Sequence, residues 1–314
     1  MKTKQVIKGL MVIAISSLTI FSCKKKTDPV EPQNTVAPTE ASQKTTASDQ
    51  SRVDQESNLT MDDVNSVLEH NSKTRAAMPC NIDIDSTSLT TGLIKLTYHG
   101  HSCDGLRDRS GVISIQLPFK NGQLVKWTSK GAKIIVTYAN YKVTDLTTNK
   151  SIMFNGSVTA TNVNGGGLLT LLSGTSIIHK LKGDMTITFD DGTTCSWGLA
   201  KSRVYTLSLS VLTTEITGDT TINGNTQTAF WGKTRAGDDF SVSVTTPVTT
   251  TLWGTLCLFR PYKGVVVIRG IKQQITITYG VDINGNPATA LCPYGYKLNW
   301  TDAAGTVHTA VLPY

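Results

Sequence analysis

The chain has 314 residues, of which 39% are hydrophobic and 17% charged, and its formal net charge is +7 at pH 7. Such a length is enough for a substantial core in one or two units. The charge is modest and no basic cluster is interleaved with aromatic residues in the body of the chain, which argues against nucleic-acid binding.

Residues 1–22 have the features of a bacterial signal peptide. A basic start is followed by an apolar run from Leu10 to Phe21 and by a small residue, Ser22. The run is shorter than the roughly 20 apolar residues that a transmembrane helix needs. An uncleaved membrane helix, or a signal peptide that is cleaved at another position, remains an alternative. The four residues that end at Cys23 resemble a lipobox, the signal of bacterial lipoproteins, which implies that the Cys23 thiol is acylated.

We therefore expect the acylated Cys23 to anchor the protein in the lipid bilayer of the outer membrane. The sequence leaves open whether the following domain faces the periplasm or the cell surface. Lys2, Lys4 and Lys8 would leave with the signal peptide, so the mature chain would carry a net charge of 7 − 3 = +4.

Residues 23–59 predict a lipidated, disordered tether. They contain three prolines among Thr, Ser, Gln, Asp and Glu, with few large apolar residues, and such a segment cannot bury enough surface to offset its ordering entropy. Residues 60–79 predict a short helix and a connector, because Thr60 precedes apolar residues at helical spacing. These residues are Met61, Val64, Val67 and Leu68.

Residues 80–314 predict an all-β domain. Met185, Ile187 and Phe189 alternate with threonines, and residues 207–211 and 275–279 alternate in the same way. Asn-Gly or Asp-Gly pairs, which supply the positive φ angles of two-residue hairpins, separate the strands. These pairs begin at Asn121, Asn155, Asn164, Asp191, Asn223 and Asn284. We predict an antiparallel β-sandwich, or two side-by-side β-units that divide near residues 200–225.

Three blocks of this domain stand out: Cys103-Asp-Gly-Leu-Arg-Asp-Arg-Ser-Gly, Trp231-Gly-Lys-Thr-Arg-Ala-Gly, and Ile275-Thr-Ile-Thr-Tyr-Gly with Cys292 beyond it. Together they resemble a family of uncharacterised secreted lipoproteins of Bacteroidetes. The resemblance covers most of residues 80–314 and implies a location and a β-fold but no activity. The ending after Gly280 departs from the family pattern, which leaves the turn and the disulfide pairing there open.

Five cysteines follow the anchor. Lipoproteins fold outside the cytoplasm, where disulfides persist. We predict a Cys257–Cys292 disulfide, because both residues flank one hairpin-rich segment, and next a Cys80–Cys103 disulfide, which leaves Cys195 unpaired. Pairing does not follow from sequence alone, so buried free thiols stay an alternative.

Two groups of residues are weak metal candidates. His99, His101 and Cys103 are spaced by two, so on a strand they would face one side as zinc or copper ligands. Cys103 is also a disulfide candidate, and no fourth ligand is evident. Asp282 and Asn284 resemble the opening of a calcium loop, but the closing glutamate is missing and a hairpin turn explains them. We predict no metal and no cofactor.

The sequence has no nucleophile elbow, zinc-protease motif, phosphate loop or dinucleotide fingerprint. We therefore predict a non-enzymatic binding or structural domain, with a glycan or an envelope protein as partner and an oligomeric state that stays open. A carbohydrate-binding accessory role is the first alternative, although core packing is the stronger explanation of the tryptophans. An unrecognised hydrolase is the second, since two carboxylates facing one cleft leave no motif. The tryptophans are Trp127, Trp197, Trp231, Trp253 and Trp300.

Overall fold

The computed structural model describes residues 40–69, 78–253, 260–270, 274–289, 292–302 and 304–314. The predicted signal peptide, Cys23, the first part of the predicted tether and Cys257 lie outside these ranges. Within them, no helix is both long enough and apolar enough to cross a membrane.

The all-β prediction is confirmed, because 57% of the described residues lie in strands and 15% in helices. The α-helices are α1 (Glu40–Glu69) and α2 (Leu168–Leu171), and a 3-10 turn covers Leu89–Thr91. The strands are β1 (Ile82–Asp85), β2 (Leu93–His101), β3 (Arg107–Gln116), β4 (Phe119–Lys120), β5 (Gln123–Leu124), β6 (Ala132–Asp145), β7 (Ser151–Asn162), β8 (Ile177–Phe189), β9 (Thr194–Ser208), β10 (Val211–Gly218), β11 (Thr220–Ile222), β12 (Asn225–Lys233), β13 (Asp239–Trp253), β14 (Pro261–Arg269), β15 (Ile275–Val281), β16 (Gly295–Thr301) and β17 (Val307–Pro313).

A single antiparallel sheet of 15 strands forms the body of the protein. Its order is β1-β2-β3-β6-β7-β8-β9-β10-β13-β14-β15-β16-β17, with β12 paired to β9, β11 and β13, while β4 and β5 form a separate hairpin. Most strands lie beside their sequence neighbours, as in a β-meander. The sheet is continuous at residues 200–225, because β9 pairs with β10 and β10 pairs with β13. This is the region where the sequence leaves open a division between two β-units.

Period-2 alternation correctly predicts which strand residues enter the core. Met185, Ile187 and Phe189 on β8 are buried, and so are Ile275 and Ile277 on β15. These side chains point to one face of the sheet because successive residues of a strand alternate between its faces.

Two local predictions are wrong. Residues 207–211 do not form one strand, because Leu209 and Ser210 form the turn between β9 and β10, where Leu209 is 96% exposed. The pair Asn155-Gly156 is not a turn but lies inside β7, opposite an irregular register in β6, and the Asn155 side chain accepts a 2.8 Å hydrogen bond from the backbone N–H of Asn140. Gly156 has a φ of +122°, and an added Cβ would lie 2.5 Å from the backbone carbonyl oxygen of Asp184 on β8, so close approach of this neighbouring strand explains the glycine.

Helix α1 begins at Glu40, so the prediction of a disordered tether is wrong for residues 40–59. The segment is polar, but it is not solvated. Its buried residues include Ala47, Val53, Met61 and Val64, together with polar side chains. A helix without a broad apolar stripe needs other partners to stay ordered, and here the sheet supplies them.

The sheet curves around α1. Side chains from β3 (Arg107), β9 (Arg203) and β15 (Tyr279) all contact α1, although these strands are far apart in the order of the sheet. The helix therefore lies against the concave face of the sheet. This packing places charged residues of both elements in the interior.

Five carboxylates of α1 each pair with a different cation from the sheet or its turns. The pairs are Asp49–Arg235 (2.7 Å), Asp54–Lys201 (2.8 Å), Glu56–Arg107 (2.8 Å), Asp62–Arg203 (3.0 Å) and Asp63–Arg109 (2.7 Å). Removing one partner of a buried pair leaves an uncompensated charge, which costs about 3–5 kcal/mol. The pairs therefore fix the position of α1 more strictly than apolar contacts alone.

The Cys80–Cys103 disulfide is formed, as predicted. Cys195 and Cys292 are also disulfide-bonded, so the expectation that Cys195 stays unpaired is wrong. That expectation rested on proximity along the chain, whereas a disulfide depends on how closely the fold brings two Cα atoms together. The predicted pairing of Cys292 with Cys257 involves a residue outside the described ranges.

Candidate functional site

A cavity of about 290 Å³, which we call the α1 cavity, lies beside the C-terminal half of α1. Its rim includes the exposed residues Cys103 and Asp104, and its floor includes the buried residues Leu171 and His179. The apolar part of its wall consists of Leu59, Met78, Pro79, Tyr141, Leu168, Leu171, Ile177, Tyr205, Leu212 and Leu252. Small-molecule sites are usually concave and mostly apolar, with a few convergent polar groups, so this cavity is the candidate functional site.

The polar wall comes from α1 and β3. Asp62 and Asp63 are carried by α1, and Arg107 and Arg109 project from β3 toward it, because residues two apart on a strand share a face. Most of the apolar wall is a small cluster of side chains from α2, β8, β9 and β10. The two parts meet where Tyr205 donates to Asp62 and where Glu69 of α1 accepts a 2.6 Å hydrogen bond from the backbone N–H of Leu168.

Asp63 is held on two sides. It accepts a 2.7 Å hydrogen bond from Arg109 and a 3.0 Å hydrogen bond from the Tyr98 hydroxyl. Burial nevertheless raises the pKa of Asp63 to about 6, because the loss of hydration outweighs the attraction of Arg109. Burial also raises the pKa of Asp62, whose partner is Arg203. Both carboxylates are thus ion-paired groups that take up protons more readily than exposed ones.

The cations of the wall are engaged as well. Arg107 binds Glu56 at 2.8 Å and Asp104 at 3.1 Å. Arg109 binds Asp63 and donates a 2.8 Å hydrogen bond to the backbone carbonyl of Cys80. The wall therefore resembles a closed set of ion pairs more than a site for an incoming anion.

Among the side chains that line the cavity, Arg109 has one buried nitrogen, Nε, without a hydrogen-bond partner in the described ranges, and His179 has two. His179 is 2% exposed, and neither ring nitrogen has a hydrogen-bond partner among the residues that the structure describes. Its ring lies between Trp127 and Tyr205, with centroids 4.8 Å and 5.0 Å away. Burial lowers the pKa of His179 to about 3, with a smaller contribution from Arg203, so the imidazole is neutral at pH 7.

The aromatic neighbours of His179 belong to a hydrogen-bonded chain that bypasses it. Trp127 donates to Asn65 at 3.0 Å, Asn65 donates to the Tyr205 hydroxyl at 3.1 Å, and that hydroxyl donates to Asp62 at 3.4 Å. This chain fixes the two rings against α1. His179 is therefore held in place by packing, and its ring forms part of the cavity floor.

The weak metal candidates do not converge on one point. His99 and His101 are exposed on β2 and face Asp83 and Asp108, at 3.5 Å and 3.2 Å, while Cys103 is used in a disulfide. In the described part of the chain, no group of three or more His, Cys, Asp or Glu side chains is arranged to hold a metal ion.

Asp282 caps a turn. Its carboxylate accepts 2.9 Å hydrogen bonds from the backbone N–H groups of Asn284 and Asn286, which lower its pKa. The hairpin interpretation therefore explains Asp282 and Asn284 without an ion.

Three of the five tryptophans pack in the interior. Trp127, Trp197 and Trp300 are 2%, 3% and 5% exposed. Trp231 is half-buried, and its ring covers Gly198, where an added Cβ would lie 2.2 Å from the indole. These four side chains therefore pack within the fold, as the core interpretation predicts, and Trp253 lies outside the described side chains.

Sequence reasoning missed His179 and the inward-facing cations. A signal was present on β9, where Leu199, Lys201, Arg203 and Tyr205 occupy one face, and all four are buried. Two cations in register with core residues indicate an interior that contains matching acids. The acids lie on α1, in a segment whose composition favoured disorder.

Comparison with known proteins returned no matching family model, no matching curated protein and no matching solved structure.

Proposed function

We propose that this protein is a lipid-anchored, non-enzymatic binding protein of the bacterial outer membrane, and that it binds a small molecule in the α1 cavity. One observation carries the binding part of the proposal. The cavity joins apolar walls to His179, a buried side chain whose ring nitrogens lack partners among the described residues. A buried polar group without a partner costs about 1–3 kcal/mol, and a bound ligand that supplies the partner recovers this energy.

The anchor rests on the sequence around Cys23 and on the resemblance to secreted lipoproteins of Bacteroidetes. Cys23→Ala removes the thiol that would be acylated. We expect the wild-type chain in the membrane fraction and the variant released from it. Retention of the variant in the membrane contradicts the anchor. Proteolysis of intact cells that express the wild type distinguishes a domain on the periplasmic side from one on the cell surface.

Binding in the cavity is tested with naphthalene, a small hydrocarbon whose fluorescence reports its environment. Leu168 lines the cavity, while its neighbour Leu169 on the same short helix is 56% exposed and does not line it. We expect Leu168→Trp to fill the space and abolish naphthalene binding, and Leu169→Trp to leave it unchanged. Naphthalene binding that is equally strong in the wild type and in L168W overturns the proposed site.

A second candidate function is hydrolysis, and one observation favours it. Asp63, a buried carboxylate with a pKa of about 6, lines the same cavity as the neutral His179, and a general acid works best when its pKa is near the working pH. Against it, Asp63 is held by Arg109, and His179 hydrogen-bonds to no nucleophile in the described ranges.

The hydrolase candidate is tested with p-nitrophenyl esters, glycosides and phosphates. Turnover that falls by at least roughly a hundredfold in Asp63→Asn, as expected for the loss of a general acid, would establish it. Rates equal to those of buffer alone, for the wild type and all three substrate classes, exclude these reactions.

A further inference from the structure

We infer that the α1 cavity selects a neutral, mostly apolar molecule that carries one hydroxyl group, and that this hydroxyl hydrogen-bonds to His179. The inference rests on the proposed binding function and adds to it the chemical class of the ligand. Three properties of the cavity lead to this class: its volume, the state of His179 and the pairing of its charges.

The volume sets the size of the ligand. An apolar protein cavity of about 150 Å³ binds benzene, which has six carbon atoms. The α1 cavity is about 290 Å³, close to twice that volume. A ligand that fills it therefore has about 12 non-hydrogen atoms.

The state of His179 sets the polar group. A neutral imidazole has one nitrogen that donates a hydrogen bond and one that accepts. Both nitrogens are buried and lack partners among the described residues, while Trp127 and Tyr205 pack against the ring. A hydroxyl both donates and accepts, so it can satisfy either nitrogen in either tautomer. A hydrocarbon leaves both unsatisfied.

The charges of the wall disfavour a charged ligand. A carboxylate would enter beside the acids Asp62, Asp63, Glu69 and Asp104, and nearby arginines already bind three of them. A primary ammonium would have to compete with those arginines for a carboxylate, or with the backbone N–H of Leu168 for Glu69. In addition, a charge placed against the apolar wall loses its hydration without compensation. A neutral group avoids all three costs.

The test compares ligands that share a body and differ in the polar group. The bodies are a ten-carbon chain and a naphthalene ring, each used as the hydrocarbon, the alcohol (1-decanol or 2-naphthol), the carboxylate and the primary ammonium. Binding to the purified chain in lipid nanodiscs is measured at pH 7.5, with L168W in identical nanodiscs as the reference for partitioning. We expect at least one alcohol to bind about tenfold more tightly than its three analogues, since one net hydrogen bond is worth about 1.4 kcal/mol.

Two variants of His179 complete the test. His179→Phe retains an aromatic ring without nitrogens and should remove the tenfold preference. His179→Gln retains a donor and an acceptor and should keep part of the preference. If a carboxylate or an ammonium binds as tightly as the alcohol, or if the preference survives in H179F, the inference is overturned while the binding function stands. If no ligand distinguishes the wild type from L168W, the binding function fails as well.

Discussion

Arg235 donates two hydrogen bonds of 2.7 Å to Asp49, one to each carboxylate oxygen. The same guanidinium lies 2.7 Å from Asp190 and 4.2 Å from the centre of the Phe189 ring. Arg235 belongs to the turn between β12 and β13, whereas Asp49 lies in the N-terminal half of α1. This bidentate pair therefore fixes the helix to the sheet far from the cavity, and its planar geometry suits arginine alone.

Substitution of Arg235 should release the N-terminal half of α1. Arg235→Ala leaves the buried Asp49 unpaired, so we expect a loss of about 3–5 kcal/mol in the free energy of unfolding, measured with urea. Arg235→Lys keeps the charge without the bidentate geometry and should lose less. Lys233→Ala, which removes an ion pair with the largely exposed Asp239, should cost less than about 1 kcal/mol. If R235A is as stable as K233A, the pair with Asp49 does not hold the helix.

The arginine blocks that stand out in the sequence are explained by this helix. Arg107, Arg109 and Arg235 each bind a different carboxylate of α1. The sequence alone presents them as parts of strand-and-turn patterns, because their partners are distant along the chain. Asp49 and Arg235, for example, are separated by 186 residues.

Local patterns predict the sheet well and the helix poorly, for one physical reason. The strand residues Ile275 and Ile277 are buried by neighbours whose alternation is visible in the sequence. Residues 40–59 have no apolar stripe, so their order depends on cations supplied by β3, β9 and the β12–β13 turn. The α1 cavity lies between these two elements, and for that reason none of its ionic wall follows from local composition.

Lys201 and Asp54 should show strong energetic coupling. Lys201 is completely buried and binds Asp54 at 2.8 Å, with further hydrogen bonds to Ser57 and Asn58. Asp54→Asn should cost about 3–5 kcal/mol, because the completely buried Lys201 loses its partner, and Lys201→Met should cost less, because the remaining carboxylate of Asp54 is 18% exposed. The double variant should lose about 0.5–3 kcal/mol less than the sum of the single losses. Additive losses would mean that water, and not the partner, compensates each charge.

The turn between β9 and β10 has an unfavourable sequence that can be improved. Leu209 and Ser210 have φ angles of +47° and +66°, a conformation that favours Asn and Gly. Replacing them together, as Leu209→Asn with Ser210→Gly, should raise the free energy of unfolding by about 1–2 kcal/mol. The hairpin between β11 and β12 provides a matched control, because Asn223 and Gly224 have φ angles of +49° and +78°. The reverse exchange there, Asn223→Leu with Gly224→Ser, should destabilise by a similar amount.

His179 should make the protein sensitive to mild acid. Its pKa is about 3 in the folded chain and about 6.5 when the chain unfolds, so between these values the unfolded chain binds a proton that the folded chain does not. Lowering the pH therefore favours unfolding. The contribution of the neutral His179 to the free energy of unfolding is fully present above pH 6.5 and is lost progressively below it. Between pH 6.5 and pH 5 the titration of His179 should lower the free energy of unfolding by about 2 kcal/mol, since each pH unit in this interval is worth about 1.4 kcal/mol.

The comparison of wild type with His179→Phe isolates this contribution. The carboxylates of α1, whose raised pKa values act in the opposite direction, are present in both chains, so they cancel in the difference. Unfolding with urea at pH 7 and pH 5 should show that the wild type loses about 2 kcal/mol more than H179F over this interval. His179→Gln also lacks the titrating ring and should share the flatter profile of H179F, which separates titration from ring packing. Equal losses in all three chains would mean that His179 also binds a proton in the folded state. The cavity's preference for a hydroxyl depends on a neutral imidazole, so that preference would lose its basis.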